Sequence, residues 1–278
     1  MAYTTIDDPS AHFQTKIYTD ADATTNDTTS QTFDGNSDLQ PDLMWFKSRN
    51  VVGNHGWMDT SRGKDGGTSF KTLFVTTAAE RTSSSGYDLT SMNSDGFSYG
   101  RPNQLDWAHD TPAQNVVWAW KANGGTTTSN SDGSITSTVQ ANTTAGFSIV
   151  TYTGTGSAAT IGHGLGAEPD MVIIKSRSNA VEWQVYLKSF GNDDTGLFLD
   201  TTDAATSATN YYNNGGTSSV FGVSNNTGVG TNTYTYVAYC FRNIQGYSKI
   251  GSYTGNGNAD GPFVYTGFKP AWIMIKRT

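Results

Sequence analysis

Pro41-Asp42-Leu43-Met44-Trp45-Phe46-Lys47-Ser48-Arg49 sets the organisation of the chain, because its pattern returns twice. The second copy is Pro169-Asp170-Met171-Val172-Ile173-Ile174-Lys175-Ser176-Arg177, and the third is Pro270-Ala271-Trp272-Ile273-Met274-Ile275-Lys276-Arg277. Each has the form of a buried strand: proline at the entry, where no ladder donor is lost, then bulky and β-branched residues, then charge where the chain is expected to return to water. Lys47 and Lys175 lie 128 residues apart, and Lys175 and Lys276 lie 101 apart. That period is domain-sized and exceeds the roughly 20–50 residues of a solenoid repeat. The pattern therefore predicts a tandem array of domains.

Composition points to the same class. The 278 residues allow about two domains, each with its own core. Charged residues are 15% of the chain, below the roughly 25% of ordinary soluble domains. Ser, Thr, Asn and 31 Gly take their place, as suits short strands joined by tight turns. Seven Trp and fourteen Tyr supply large apolar bodies for the cores. The expected fold is all-β, with no long helix.

A net charge of −7 with scattered basic residues argues against nucleic acid, since duplex phosphate calls for clustered Lys and Arg. The lone Cys240 excludes a disulfide within the chain and, inside Tyr236-Val237-Ala238-Tyr239-Cys240-Phe241, reads as a buried structural thiol. Residues 1–25 carry no signal-peptide pattern, and no run of about 18 apolar residues marks a membrane span. The expectation is a protein made in the cytoplasm, without membrane insertion.

Residues 1–11 form a polar N-terminal arm: a mobile terminus, or a docking element in which Asp7, Asp8, Pro9 and the following Phe13 engage a larger assembly. The first unit, residues 12–125, opens with the alternating His12 to Tyr18 and closes with Val116-Val117-Trp118-Ala119-Trp120. Residues 126–146 are Ser/Thr-rich and read as a linker, with a small turn-strand extension at Asp132 to Thr136. The second unit, residues 147–246, repeats the first in order. Phe147 to Gly154 matches the opening strand, Trp183 to Tyr186 the Trp57 segment, Gly196 to Leu199 residues 72–75, Val220 to Val223 the Gly96 to Tyr99 strand, and Tyr234 to Phe241 the closing strand. About seven strands per unit without helices predict tandem antiparallel β-sandwiches of jelly-roll, lectin-like type. Residues 247–278 begin a third unit and end just after its copy of the central strand, so a truncated repeat of a longer array is expected; padding of the second sandwich or pairing with a neighbouring chain is the competing reading.

The opening Met1 to Ser10 with Phe13-Gln14-Thr15-Lys16, the block Gly35 to Asp42, the block Tyr247 to Gly257 and the stretch Phe263 to Ala271 resemble structural proteins of marine bacteriophages. The likeness is to tail-fibre-type virion proteins built from tandem domains of unassigned function, and it runs over essentially the whole chain. It implies a virion component on tail or head, and it implies no catalytic residues.

No motif supports chemistry. His12, His55, His109 and His163 form no HxxxH or HExxH pattern, and His163 between Gly162 and Gly164 reads as a turn or edge residue. The Asp-rich turns at residues 34–38, 131–133 and 192–194 lack a twelve-residue calcium loop, so turn chemistry accounts for them and no metal or cofactor is expected. Asp59, Asp95, Asp106, Glu182 and Asp200 supply carboxylates, but nothing sets two of them facing each other as a glycosidase needs. Trp57 and Trp183, at matching places in two units, read as core. Trp107, Tyr211, Tyr212, Asn213 and Asn214 lie in polar loops and are the expected ligand contacts, since aromatic faces beside amides suit sugars.

The resulting expectation is a non-enzymatic virion protein: a tail fibre or fibre-like appendage that binds host-surface glycan, or links such a binder to the particle. Its partners are other virion proteins through the arm and further copies of itself, with a homotrimer expected by fibre analogy. A purely structural capsid decoration or tail adaptor, and a polysaccharide depolymerase, are the rival readings.

Overall fold

The computed structural model describes residues 4–20, 28–50, 52–82, 88–100, 113–191, 195–207, 212 and 216–278. The first unit contributes β1 (Phe13–Asp20), β2 (Thr28–Gln31), β3 (Leu43–Ser48), β4 (Gly56–Asp59), β5 (Lys64–Asp65), β6 (Ser69–Phe70), β7 (Leu73–Phe74), β8 (Leu89–Asn93), β9 (Gly96–Gly100) and β10 (Ala113–Trp120). Then come β11 (Thr128–Asn130), β12 (Ser137–Asn142), β13 (Phe147–Thr153), β14 (Ala159–Gly162), β15 (Met171–Ser176), β16 (Gln184–Leu187), β17 (Thr195–Phe198), β18 (Thr206–Ser207), β19 (Val220–Val223) and β20 (Thr235–Phe241). The only helical turns among the described residues are two short 3₁₀ segments, Pro9–Ala11 and Lys188–Phe190.

The repeat is real at the level of sheet order. The first large sheet runs β1-β10-β3-β4-β7, and the second contains the same series as β13-β20-β15-β16-β17. Trp45 pairs with Trp118 and Trp57, as Ile173 pairs with Tyr239 and Val185. In this register Trp57 corresponds to Val185, and Trp183 to His55, a shift of two residues from the expected match.

Three cores separate four layers. The small sheet β2-β9-β8 packs on one face of the first large sheet through Phe97, Tyr99, Met44, Phe46, Val117 and Ala119. The pair β14-β19 packs on the second large sheet through Ile161, Phe221, Val172, Ile174, Tyr152 and Ala238. The two large sheets face each other across a third core that includes Trp45, Trp57, Trp120, Ile173, Trp183 and Tyr239. The keystone strands β3 and β15 are therefore covered on both faces: Val172 and Ile174 enter one core while Ile173 enters the other. This explains why they read as continuous apolar runs and not as alternation.

The all-β, sandwich-type expectation holds, but the units are joined by a shared core. The expected linker at residues 126–146 supplies β11 and β12, which extend the second large sheet along β13, and Gln140 in β12 is fully buried. The third keystone copy forms no strand; residues 249–278 carry no regular secondary structure, and Trp272 lies against Trp45 and Trp120.

Candidate functional site

The polar chemistry of the described residues gathers where the two units meet. Arg62 follows β4 with its side chain wholly buried. Its Nε donates to Asp59 Oδ2 at 2.5 Å, its Nη1 to Glu80 Oε1 at 3.0 Å and its Nη2 to the Trp57 carbonyl at 2.9 Å. Arg177, at the end of the second keystone, grips Glu80 with two parallel bonds of 3.0 and 2.9 Å. Tyr239 of β20 donates its hydroxyl to Asp59 at 2.7 Å. Two guanidinium groups thus alternate with two carboxylates across the boundary between the units, forming a clasp in which each charge has an opposite partner. Burial raises the cost of charging Glu80, but the bonds and charges of Arg177 and Arg62 outweigh it and hold the carboxyl below its usual range. Burial likewise opposes the Arg62 charge, and Asp59, Tyr239 and Glu80 more than offset it.

The keystone charges are structural. Lys47 Nζ donates to the Gly53 carbonyl at 2.9 Å, and Lys175, six residues before the equivalent carbonyl, donates to Val181. Lys175 also reaches across to Thr77 of the first unit at 3.0 Å and is fully buried, which lowers its pKa to about 8. The expectation that these charges return to water is thus corrected for Lys175: two carbonyls replace its hydration. Asp42 and Asp170 also act alike. Asp42 accepts the backbone N–H groups of Ala122, Gly124 and Gly125 and the Thr60 hydroxyl at 2.7–2.9 Å; Asp170 accepts Asn243 N–H at 2.7 Å. Each ties the chain as it leaves the closing strand. Burial pushes Asp42 up despite these donors. Gln140 completes the knot, donating to Thr60 and Ser61 and accepting from Asn123 and Gly125. The repeated Asp of the keystone pattern thus ties its own unit's closing segment, and of the two lysines Lys175 alone crosses to the other unit.

Trp107, Tyr211, Asn213 and Asn214 lie outside the described residues. Tyr212 is corrected: it is 5% exposed, its ring centroid 5.3 Å from that of Tyr186, and its apolar ring serves the core, not a ligand. Of the docking-arm residues, Asp7 is exposed, but Asp8 caps the turn at Pro9–Ala11 and accepts the Ser10 and Ser37 hydroxyls at 2.6 Å. Phe13 starts β1 and packs on Trp120 at 4.9 Å. Ile6 is buried as well, so the segment from Ile6 onward is part of the first unit and not a free arm. Trp57 and Trp183 are core residues as expected, and they meet each other across the shared core at 5.1 Å. The Trp183 indole donates to the Phe74 carbonyl, another bond between units.

His163 is buried, accepts Leu165 N–H and lies 3.2 Å from the Thr217 carbonyl, as a turn histidine should. Cys240 is buried, and burial pushes its thiol up to about 12. Among the described residues, no three His, Cys, Asp or Glu side chains come together around one point. An open groove of about 370 Å³ lies between the turn at residues 243–249 and the stretch Tyr265–Gly267, with Gln245, Lys249 and the 73% exposed Tyr265 on its rim.

Residues 8–278 match the family described as Domain of unknown function (DUF7483). The chain belongs to this family. The DUF7483 match runs unbroken through both units, the β11–β12 segment and the third keystone copy. No curated protein and no solved structure matches the chain.

Proposed function

We propose that this protein is a non-enzymatic structural component of a phage virion, a rigid element of a tail fibre or similar appendage that contacts host-surface glycan or links a glycan binder to the particle. The observation that carries this reading is the welded repeat: two equivalent units share one aromatic core and one buried ion clasp, so the pair transmits load as a single body. The residues given over to buried charge are held by internal partners, as a mechanical part requires. The resemblance of residues 1–10, 13–16, 35–42, 247–257 and 263–271 to tail-fibre-type virion proteins supplies the setting. For the contact role, the groove beside Tyr265 offers an exposed aromatic face with the Gln245 amide and the Lys249 ammonium, a combination that suits the C–H face and hydroxyls of a sugar.

Antibody labelling of intact particles under electron microscopy tests the setting. Label on distal tail appendages is the expected result; label confined to the capsid or collar overturns the receptor-contacting role. A glycan array with the purified chain and Tyr265→Ala then tests the groove, with binding expected for the wild type and lost in the variant.

A further inference from the structure

The second large sheet does not end at its opening strand. β12 pairs along the outer edge of β13, Thr138 with Thr151, Gln140 with Ile149 and Asn142 with Phe147. In the first unit β1 holds the equivalent place, and among the described residues its one strand partner is β10. Lys121 N–H donates to the His12 carbonyl, just as Arg242 N–H donates to Gly146. Because bonded pairs alternate in an antiparallel ladder, the backbone groups of Gln14, Lys16 and Tyr18 face β10, and those of Phe13, Thr15, Ile17 and Thr19 face outward. These outward groups occupy the positions that β12 covers in the second unit.

Natural proteins blunt such edges with short strands, outward charge, proline or bulges. β1 is eight residues long and pairs with β10 without a break, and its two charged residues, Lys16 and Asp20, stand at positions whose backbone groups face β10. Ile17 is 60% exposed there. At the other end of the chain lies a segment with the opposite problem. Residues 270–277 have the keystone sequence, which both units bury as a strand, yet Ile273 and Ile275 are 67% and 68% exposed. Trp272, with ring centroids 5.5 and 5.9 Å from Trp120 and Trp45, and Lys276, bonded to the Thr201 carbonyl at 2.8 Å, fix both ends of this strip. It is held in place while its isoleucines face solvent.

We propose that the strip at residues 270–277 of one copy pairs with the outer edge of β1 in a second copy, filling the place that β12 fills within the chain. The partner is this protein itself: among the described residues one molecule carries an edge with no second strand, beside the exposed Ile17, and an apolar strip of strand-forming sequence. The inference goes beyond the proposed function and does not depend on where the protein is displayed. A single added strand buries less than the roughly 1,200 Å² of a standard stable interface, so the contact strengthens with concentration or with repetition. As a contact between two different surfaces it closes into a ring, including a trimer, or runs on as an open chain.

Sedimentation of the full chain over rising concentration tests this. The expected result is a mass that climbs above 29.8 kDa. Two edge variants, Ile17→Lys and Thr15→Pro, and a strip variant, Ile273→Asp with Ile275→Asp, should each remain monomeric alone. Ile17 and both isoleucines are exposed, so these substitutions leave folding intact, as an unchanged circular dichroism melt would verify; Thr15→Pro removes an outward N–H and fixes the local φ, and the same melt checks that the strand tolerates it. Mixing Ile17→Lys with the strip variant restores one contact and should yield a one-to-one complex. A wild type that stays at monomer mass throughout, a blocked variant that still associates alone, or a mixture that forms no complex would overturn the proposal.

Discussion

The buried clasp makes the sharpest energetic prediction, through Asp59→Asn. The aspartate accepts three bonds: Arg62 N at 2.8 Å, Arg62 Nε at 2.5 Å and the Tyr239 hydroxyl at 2.7 Å. An asparagine of the same shape retains one acceptor oxygen and presents two donors, so its NH2 group faces either the Arg62 backbone N–H or the guanidinium and the phenol together. The larger loss is charge. Arg62 has no exposed surface, and its remaining anion, Glu80, is already gripped by Arg177. Breaking a fully buried pair from one side costs about 3–5 kcal/mol, because the other charge is left uncompensated. At about 2–4 °C per kcal/mol, the thermal midpoint should fall by roughly 6–20 °C. Differential scanning calorimetry of the full chain reads this directly. The double variant Asp59→Leu with Arg62→Met removes both charges and should recover most of the loss, since apolar replacement of a buried pair is often neutral. A single variant that melts within a degree of wild type, or a double variant worse than the single, would refute the assignment of the clasp as a coupled buried pair.

Other expectations follow from the same geometry. The shared core predicts one cooperative transition for both units; two resolved calorimetric transitions would contradict it. Glu80 has a folded pKa below its unfolded value, so its contribution is present above about pH 4.5 and is lost as pH falls through the folded value; Glu80→Gln should flatten that acid limb in urea titrations. Lys175 runs the other way: its folded pKa of about 8 lies below the roughly 10.4 of a free lysine, so the unfolded chain binds more protons between them and stability gains from rising pH in that window. Lys175→Met should abolish that slope while lowering stability by orphaning the Thr77 and Val181 carbonyls. Asp42→Asn should cost more than Asp170→Asn, by about 1–3 kcal/mol, because it loosens four donors where the other loosens one; equal losses would refute the difference.

Much of the architecture is legible in the sequence because it follows from local pattern. Three copies of a proline-led apolar run announce a repeat, and the order of opening, keystone and closing strands in the second unit matches the first in the sheets. The same pattern hides what lies between the units. A strand buried on both faces by its own sandwich looks identical to one that shares a face with a neighbour, since residue type reports burial and not the identity of what buries it. Trp57 and Trp183 show the limit: both read as core, but only the fold puts them against each other. The Ser/Thr-rich stretch at residues 126–146 fails for a related reason. β12 needs few apolar residues, because its backbone pairs with β11 on one side and β13 on the other and its buried Gln140 is satisfied by Thr60, Ser61, Asn123 and Gly125. Composition therefore reads as a linker where hydrogen bonding makes a strand.

The keystone lysines differ in their surroundings, Lys175 being buried and Lys47 partly exposed, and the sequence does not mark the difference. A lysine ending an apolar run is ordinarily a solvated strand end, and nothing in the residues following Lys47 or Lys175 marks the carbonyl six positions on as its acceptor. In the first unit Lys47 keeps partial contact with solvent. In the second, packing against the first unit closes over Lys175, adds the Thr77 carbonyl as a second acceptor, and so turns a strand end into a bond between units. Arg177 undergoes the same change through Glu80. Two copies of one pattern, alike in their Pro-Asp start and Lys-Ser-Arg end, therefore do different work because the second is closed over by the other unit at that end. The third copy carries Lys276 and Trp272 into contact with the first two units while leaving Ile273 and Ile275 in solvent. Within each of the first two units, the keystone's apolar residues are covered by flanking strands and a facing sheet; in the third only the tryptophan and the lysine are engaged, so the exposed isoleucines mark where a further strand would complete the pattern.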